Sequence, residues 1–382
     1  MKLPAQRHRF DIPSDVAYFN CAYMSPLLDR VFEAGELGLA RKRRPWEIAP
    51  SDFFDDAHRA REKFATLINA DANGIAIIPA ASYGLAVAAK NLPIHDRGNV
   101  VVLAEQFPSN VYVWREAAKR ANASVREVAR PPDDDWTPRI VEGIDERTDV
   151  VALPHCHWTD GTLIDLTRVR DACDQVNAAL VLDLTQSAGA LPFDCETVRP
   201  DFVVCAGYKW LLAPYSIGFM YAAPQWREGE PIEYSWIARA MSEDFSGLVN
   251  YRDDFQPGAI RYDVGERANF ALLPAAIAAL DQLLEWNVQN IAQTLGAITD
   301  TIAAEAATLG LLATDPARRA NHFLGLRFEG GPPDELLDTL AKHRIYVSVR
   351  GDAIRVTPHL YNTESDVDQL LEGLRDVVKT EV

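Results

Sequence analysis

The chain has 382 residues, 48% of them apolar, and a formal net charge of −17 at pH 7. That length allows two domains, while the acidic balance argues against nucleic acid or an anionic membrane as a general partner, since both demand a basic face. Nothing near the N-terminus (Met1-Lys2-Leu3-Pro4-Ala5-Gln6-Arg7-His8) resembles an apolar signal core, and no stretch reaches transmembrane length.

Two amphipathic stretches come first, at residues 28–42 and 52–68. The basic run Arg41-Lys42-Arg43-Arg44 closes the first, where cations suit a helix C-terminus. From residue 74, apolar runs at 74–79, 100–104, 150–153, 179–184, 201–206 and 216–221 alternate with helical stretches such as 111–121 and 166–176. This alternation predicts an α/β fold with a mostly parallel sheet and helices on both faces. Beyond about residue 269 the pattern changes. Helices are expected at 272–286 and 291–309, then strands at 322–328, 346–349 and 353–356, mixed with helices at 334–342 and 364–379. Thr363-Glu364-Ser365-Asp366 resembles a capping box and starts the last helix. Two closely packed domains are expected: a large one at 16–268 and a smaller α+β one at 269–382, with residues 1–15 packing against the latter.

Lysine is scarce, and Lys209 is the unusual one. It follows the strand-like run 201–206 and precedes the apolar Trp210-Leu211-Leu212. An ammonium stripped of water there has a lowered pKa and offers a neutral amine as nucleophile, although a lysine snorkelling from a strand end would look the same. Asp183 closes the run Ala179-Leu180-Val181-Leu182-Asp183, where a carboxylate is costly unless it meets a cation. Successive strand ends face the ligand crevice of open α/β sheets. A buried acid and a desolvated lysine placed there suit pyridoxal phosphate (PLP), the lysine holding the aldehyde and the acid the pyridine nitrogen. The plainer reading of Asp183 is a salt bridge or helix cap within the sheet.

Ala80-Ala81-Ser82-Tyr83-Gly84 follows the first strand and opens a helix. Small residues and a hydroxyl at a helix N-terminus make an anion site, though Ser82 also fits a simple N-cap. Phe107, in Glu105-Gln106-Phe107, lies at another strand end and either stacks on a flat ring or joins the core. His155 and His157 are two apart, as metal ligands sharing a strand face are, but no third ligand has suitable spacing. A site role for His157 or Trp158 is the better reading. The five cysteines, Cys21, Cys156, Cys173, Cys195 and Cys205, are odd in number and irregularly spaced. They read as reduced core thiols of a cytoplasmic protein.

Together these residues carry a resemblance to the class V aminotransferase family, the fold type I PLP enzymes that include cysteine desulfurases, kynureninase and isopenicillin N epimerase-like proteins. It extends from about Tyr18 to the last helix and is most specific in Asp183-Leu184-Thr185-Gln186-Ser187-Ala188-Gly189 and Gly207-Tyr208-Lys209. The resemblance implies that Lys209 carries the cofactor and shuttles the proton, that Asp183 pairs with the pyridine nitrogen, and that Gln186 bonds the ring hydroxyl. It implies that Phe107 stacks on the ring, that Ala81, Ser82 and Tyr208 hold the phosphate, and that His157 or Trp158 borders the hydroxyl edge. Asn20 matches a residue near the substrate carboxylate, and Arg355 the arginine that forks onto it, with Arg350 as the fallback. Family members are usually homodimers, so a homodimer is expected.

Departures narrow the function. The stretch Val349-Arg350-Gly351-Asp352-Ala353-Ile354-Arg355 is short and cysteine-free where desulfurases carry a persulfide-forming cysteine on a mobile loop. Gly265-Glu266-Arg267 replaces a Gly-Thr pair that reaches the neighbouring subunit's cofactor, and Arg267 is the candidate to remake that contact. Side-chain specificity is expected from the loop 233–255, with Tyr234, Trp236 and Arg239 as candidates. The leading expectation is an aminotransferase or a Cβ-elimination lyase acting on a small amino acid without a persulfide cysteine. The alternatives are an amino-acid epimerase, with His157 as second acid–base, and a non-catalytic PLP-fold binding protein. A nucleotide-binding protein using the 80–84 turn lacks the dinucleotide and Walker glycine patterns.

Overall fold

The computed structural model describes residues 1–380. Its centre is a seven-stranded sheet in the order Ile75–Ile78, Gly218–Ala222, Phe202–Ala206, Ala179–Asp183, Thr148–Pro154, Asn99–Leu103, Ser124–Val128. Gly218–Ala222 runs antiparallel to both its neighbours, and the remaining pairs are parallel. Successive side chains of a strand face opposite sides, so each apolar run feeds two cores. Val101, Leu103, Val151, Leu153, Leu180 and Leu182 fill one; Val100, Val102, Val150, Ala152, Val181 and Val204 fill the other. The helices Ala81–Asn91 and Ser109–Arg120 close the second core through Leu85 and Trp114, and Leu166–Val176 closes the first through Val169. The six apolar runs of the sequence all lie in this sheet. The seventh strand, Ser124–Val128, is an edge strand buried only at Val128, and no apolar run announces it.

A four-stranded antiparallel sheet follows, in the order Ser348–Arg350, Ala353–Val356, Leu324–Arg327, Leu312–Ala313. The helices Val288–Thr308 and Glu364–Thr380 cover it through Ile302, Ala306, Leu370 and Leu374. Thr363 and Asp366 form the expected capping box: the Thr363 N–H donates to Asp366 at 2.8 Å, and the Asp366 N–H donates back to Thr363 Oγ1 at 3.3 Å. The strand expected at 346–349 is split. Ile345–Tyr346 pairs in parallel with Ala17–Tyr18, while Ser348–Arg350 turns to pair with Ala353–Val356. The N-terminal residues lie along the same helices, with the Leu3 N–H donating to Thr294 Oγ1 at 2.8 Å and Arg7 paired to Asp366 at 2.7 Å. The helix Leu272–Trp286, by contrast, packs on Asp29–Arg41 and Asp55–Leu67, and its Leu273, Ala276, Leu280 and Leu283 join the core of the large sheet. No helix among the described residues is long and apolar enough to cross a membrane.

One glycine fixes the turn that leads away from Asp183. Gly189 has φ +96, and a Cβ there would fall 2.4 Å from the Trp210 carbonyl oxygen. Both the left-handed conformation and the close approach to the backbone beside Lys209 exclude a side chain. Gly189→Ala is expected to destabilise the protein by about 2 kcal/mol or more, read as a lower urea midpoint. An unchanged midpoint would show that the turn relaxes freely.

Candidate active site

Five chain segments end along one edge of the large sheet and enclose a cavity of about 430 Å³. Ala81 and Ser82 follow Ile75–Ile78, Phe107 follows Asn99–Leu103, and Trp158 follows Thr148–Pro154. Asp183 closes Ala179–Asp183 with Gln186 just beyond, and Tyr208 and Lys209 follow Phe202–Ala206. This is the carboxyl-end crevice where open α/β sheets bind ligands.

The Ala81–Asn91 helix enters the cavity uncapped. Ala80 supplies no side-chain cap, and the first N–H groups with a partner are those of Tyr83 and Gly84, both donating to the Ala80 carbonyl. Among the described residues the N–H groups of Ala81 and Ser82 have none, which leaves two donors at a positive helix end. Gly84 lets this helix settle on the sheet, because a Cβ there would meet Val204 Cγ1 at 2.6 Å.

Lys209 is 6% exposed. Burial brings its ammonium down to about 8; Asp183 pulls it upward and Arg355 pushes it further down. No carboxylate among the described residues lies within 4.0 Å of it, and Nζ sits 5.4 Å from the Phe107 ring centre and 5.5 Å from that of Tyr208. Asp183 is equally buried. Desolvation raises its carboxyl above the ordinary range, and the hydrogen bonds from Thr185 and the Lys209 charge oppose that rise. One carboxylate oxygen accepts the Thr185 N–H at 3.0 Å.

Gln186 is oriented by its neighbours. The Trp210 indole N–H, which can only donate, reaches Gln186 Oε1 at 3.1 Å, and Gln186 Nε2 donates to the Ala22 carbonyl at 3.2 Å. The amide nitrogen therefore keeps one further hydrogen to offer. His322 Nε2 lies 2.6 Å from the Gln186 main-chain oxygen and fixes the backbone as well.

Arg355 and Asn20 are brought together, though not in the cavity wall itself. Arg355 Nε donates to Ser348 Oγ at 2.9 Å, and Ser348 Oγ donates to Asn20 Oδ1 at 3.0 Å. Arg355 Nη1 donates to the Trp158 carbonyl at 3.2 Å. The guanidinium is 2% exposed, with no carboxylate within 4.0 Å among the described residues. Burial, and then the nearby Arg350, lowers it to about 10. Ser348 carries no sequence motif; its place opposite Arg355 follows from the hairpin register around Gly351.

Other expected residues lie elsewhere. His157 is wholly buried and outside the cavity lining, stacked on Trp136 at 5.3 Å and bonded to Thr159 at 2.7 Å. Burial lowers it to about 4, so it is neutral. Its neighbour Trp158 lines the cavity instead. Arg267 is buried, donating to Asp263 at 2.7 Å, where Arg61 also binds. Tyr234, Trp236 and Arg239 border a separate depression of about 290 Å³, not the cavity at Lys209. All five cysteines are buried. Desolvation raises every one of their thiols, so none is a ready nucleophile. Among the described residues no cluster of histidine, cysteine and carboxylate side chains is placed to hold a metal ion.

The residues fit PLP. Unpartnered N–H groups suit a phosphate, a buried carboxyl without an ion pair suits a pyridinium N–H, and an amine of depressed pKa suits an aldehyde. Fold and site together define a PLP-dependent enzyme of fold type I. The chain belongs to the aminotransferase class-V family, whose model matches residues 47–370. It is 26% identical over 319 residues to the protein named uncharacterized aminotransferase YcbU from Bacillus subtilis (strain 168), covering 82% of each chain. It is 25% identical over 332 residues to the isopenicillin N epimerase of Streptomyces clavuligerus, covering 83% of each. A solved structure of a C-DES variant, with glycine covalently linked to its PLP cofactor, superposes with a TM-score of 0.86 at 20% identity, covering 97% of this chain and 99% of that one.

Proposed function

We propose that the protein is an amino-acid aminotransferase in which Lys209 is the sole acid–base of the α-carbon. The observation that carries this reading is the position of Lys209: a buried amine of depressed pKa, opposite Phe107, with His157 turned away into the protein interior. Transamination needs one base, whereas epimerisation needs a second on the opposite face, and His157 does not reach the cavity. When bound, PLP supplies an electron sink for the negative charge that develops at the substrate α-carbon.

The chain's own residues do the rest. Arg355 binds the substrate α-carboxylate, with Ser348 and Asn20 holding the guanidinium in place. Asp183 would accept the pyridinium N–H and keep the ring protonated. The free hydrogen on Gln186 Nε2 would be offered to the ring hydroxyl oxygen. Phe107 would cover the ring face and exclude water. The N–H groups of Ala81 and Ser82, the Ser82 hydroxyl and the Tyr208 phenol would receive the phosphate. Lys209 Nζ would take the proton from the substrate α-carbon as the base, and the ammonium so formed would be the acid that gives it back.

Cβ-elimination is the second reading. Tyr208 and Tyr215 stand 4.5 Å apart between ring centres in the cavity wall. Burial raises the Tyr208 phenol, which therefore stays protonated and able to donate to a leaving atom. We also read the chain as half of a homodimer, supported by the apolar Phe32, Leu37, Leu39 and Trp46, which all stand exposed. A strict monomer in size-exclusion chromatography would count against it.

The test is the visible spectrum of the PLP-loaded protein as single amino acids are added. A band lost to a stable pyridoxamine form, and restored only by a keto acid, supports transamination. A band that returns while ammonia, sulfide or another fragment accumulates supports elimination. Absence of any lysine-linked band would overturn the reading of Lys209.

The depressed amine also sets a pH dependence. Only neutral Lys209 attacks an aldehyde, so the rate at which apo-protein captures added PLP should rise with pH and level off above about pH 8. A rate still climbing towards the ordinary lysine value of 10.5 would show an unperturbed amine.

A further inference from the structure

The turn that carries Phe107 begins at Glu105, a non-glycine residue with φ 57. Left-handed backbone at such a residue persists only where neighbours hold it. Two consecutive residues of another strand end do so. Arg130 Nη2 lies 3.2 Å from His157 Nδ1, and an arginine can only donate, so Nδ1 is the acceptor and Nε2 carries the proton. His157 Nε2 then donates to the Ala104 carbonyl at 3.3 Å. Next along the chain, Trp158 Nε1 donates to the Glu105 carbonyl at 2.6 Å. His157 and Trp158 thus hold the two carbonyls that lead into the Phe107 turn.

Trp158 also faces the other way. Its ring meets Phe107 edge to face, with centroids 5.4 Å apart at 82°. Its carbonyl accepts from Arg355 Nη1 at 3.2 Å, and the Arg355 guanidinium carbon stands 5.9 Å from its ring centre. One side chain in the cavity wall therefore contacts both the stacking aromatic and the guanidinium.

We propose that Trp158 is a positioning residue that sets the Arg355 guanidinium in register with the Phe107 ring, so that ligands bearing an α-carboxylate are selected over plain amines. The proposal rests on the reading of Arg355 as the carboxylate site. Phenylalanine at this position keeps the aromatic edge but loses the donor to Glu105; alanine loses both and the packing over the guanidinium.

The experiment titrates the PLP-loaded protein with L-alanine and with ethylamine, following visible absorbance, in wild type and in the variants Trp158→Phe, Trp158→Ala and Arg355→Gln. Wild type should bind L-alanine more tightly than ethylamine. Trp158→Phe should lose about fivefold of that preference, the worth of one hydrogen bond, and Trp158→Ala about tenfold or more, the preference being the ratio of the two affinities measured in the same variant. The visible circular dichroism of the ligand-free, loaded Trp158→Phe protein should also shift, because the ring's seating against Phe107 changes. An unshifted band overturns the Phe107 half of the proposal. If Arg355→Gln abolishes the preference while both Trp158 variants stay within about twofold of wild type, Trp158 does not position the guanidinium, and the carboxylate reading stands. If wild type shows no preference, or Arg355→Gln keeps it, the carboxylate reading itself fails. Should Trp158→Ala not fold, Trp158→Phe decides, since it retains the ring.

Discussion

The Lys209→Ala protein is expected to fold, to bind PLP without a lysine-linked absorption band, and to turn over about four orders of magnitude more slowly than wild type. Three separate features depend on this one side chain. It is a cavity-lining amine of lowered proton affinity, it stands opposite Phe107, and it shares the crevice with Asp183. The substitution also separates catalysis from a pure binding role, which would survive it. A stability signature accompanies the kinetic one. The folded-state value of Lys209 is about 8 against an ordinary 10.5, so between those values the unfolded chain holds a proton that the folded chain has released. Stability of apo wild type should therefore rise with pH across that window. Lys209→Ala should lack that rise, as thermal melts at a series of pH values would show. Turnover within about tenfold of wild type would mean that another base removes the α-proton.

The second large effect is expected at Arg355, and it runs in opposite directions for stability and for binding. The guanidinium is buried, surrounded by neutral acceptors and lowered to about 10 by desolvation and then by Arg350. A buried charge without a counter-ion destabilises the protein that carries it. Arg355→Met should therefore stabilise the apo-protein by about 1–4 kcal/mol, seen as a higher melting temperature. The same change should weaken binding of an amino-acid substrate about a hundredfold or more, since a buried charge pair that loses one partner typically forfeits 2–5 kcal/mol. Affinity that stays unchanged would move the carboxylate site away from Arg355, and Arg350 would be the next residue to test. A fall in both stability and affinity would point to a packing role for the long side chain instead.

Why some of this was legible in the sequence and some was not comes down to how each signal is encoded. Strands buried on both faces write themselves as continuous apolar runs, so 179–184 and 201–206 located the sheet and, at their ends, Asp183 and Lys209. Ser124–Val128 borders the sheet with one neighbour and buries one residue, and Leu312–Ala313 is exposed; neither has a run to read. The histidine and tryptophan at 157 and 158 lie in a turn beyond Pro154, where strand alternation no longer says which residue faces the crevice. Only the packing of His157 on Trp136 settles that. The ion pair of Arg267 with Asp263 was no more accessible: a four-residue spacing favours such a pair on a helix, and residues 263–267 form a turn instead. The hydrogen bond from Trp210 to Gln186 joins two conspicuous motifs, yet nothing in their spacing indicates that one orients the other.

The sheet order has a consequence for how the protein is made. Ile75–Ile78, the strand that ends in the uncapped helix start at Ala81, has Gly218–Ala222 as its neighbour in the sheet. During synthesis the ribosome must add the whole stretch between them before that strand can pair, a delay on the order of ten seconds at typical elongation rates. Through that interval an apolar segment has no edge to join, and loop closure must come before the pairing rewards it. The phosphate turn and Lys209 are therefore assembled late and together. Nascent chains cannot capture the cofactor until more than half of the polypeptide has emerged, and slower growth at lower temperature should favour recovery of the protein over aggregation.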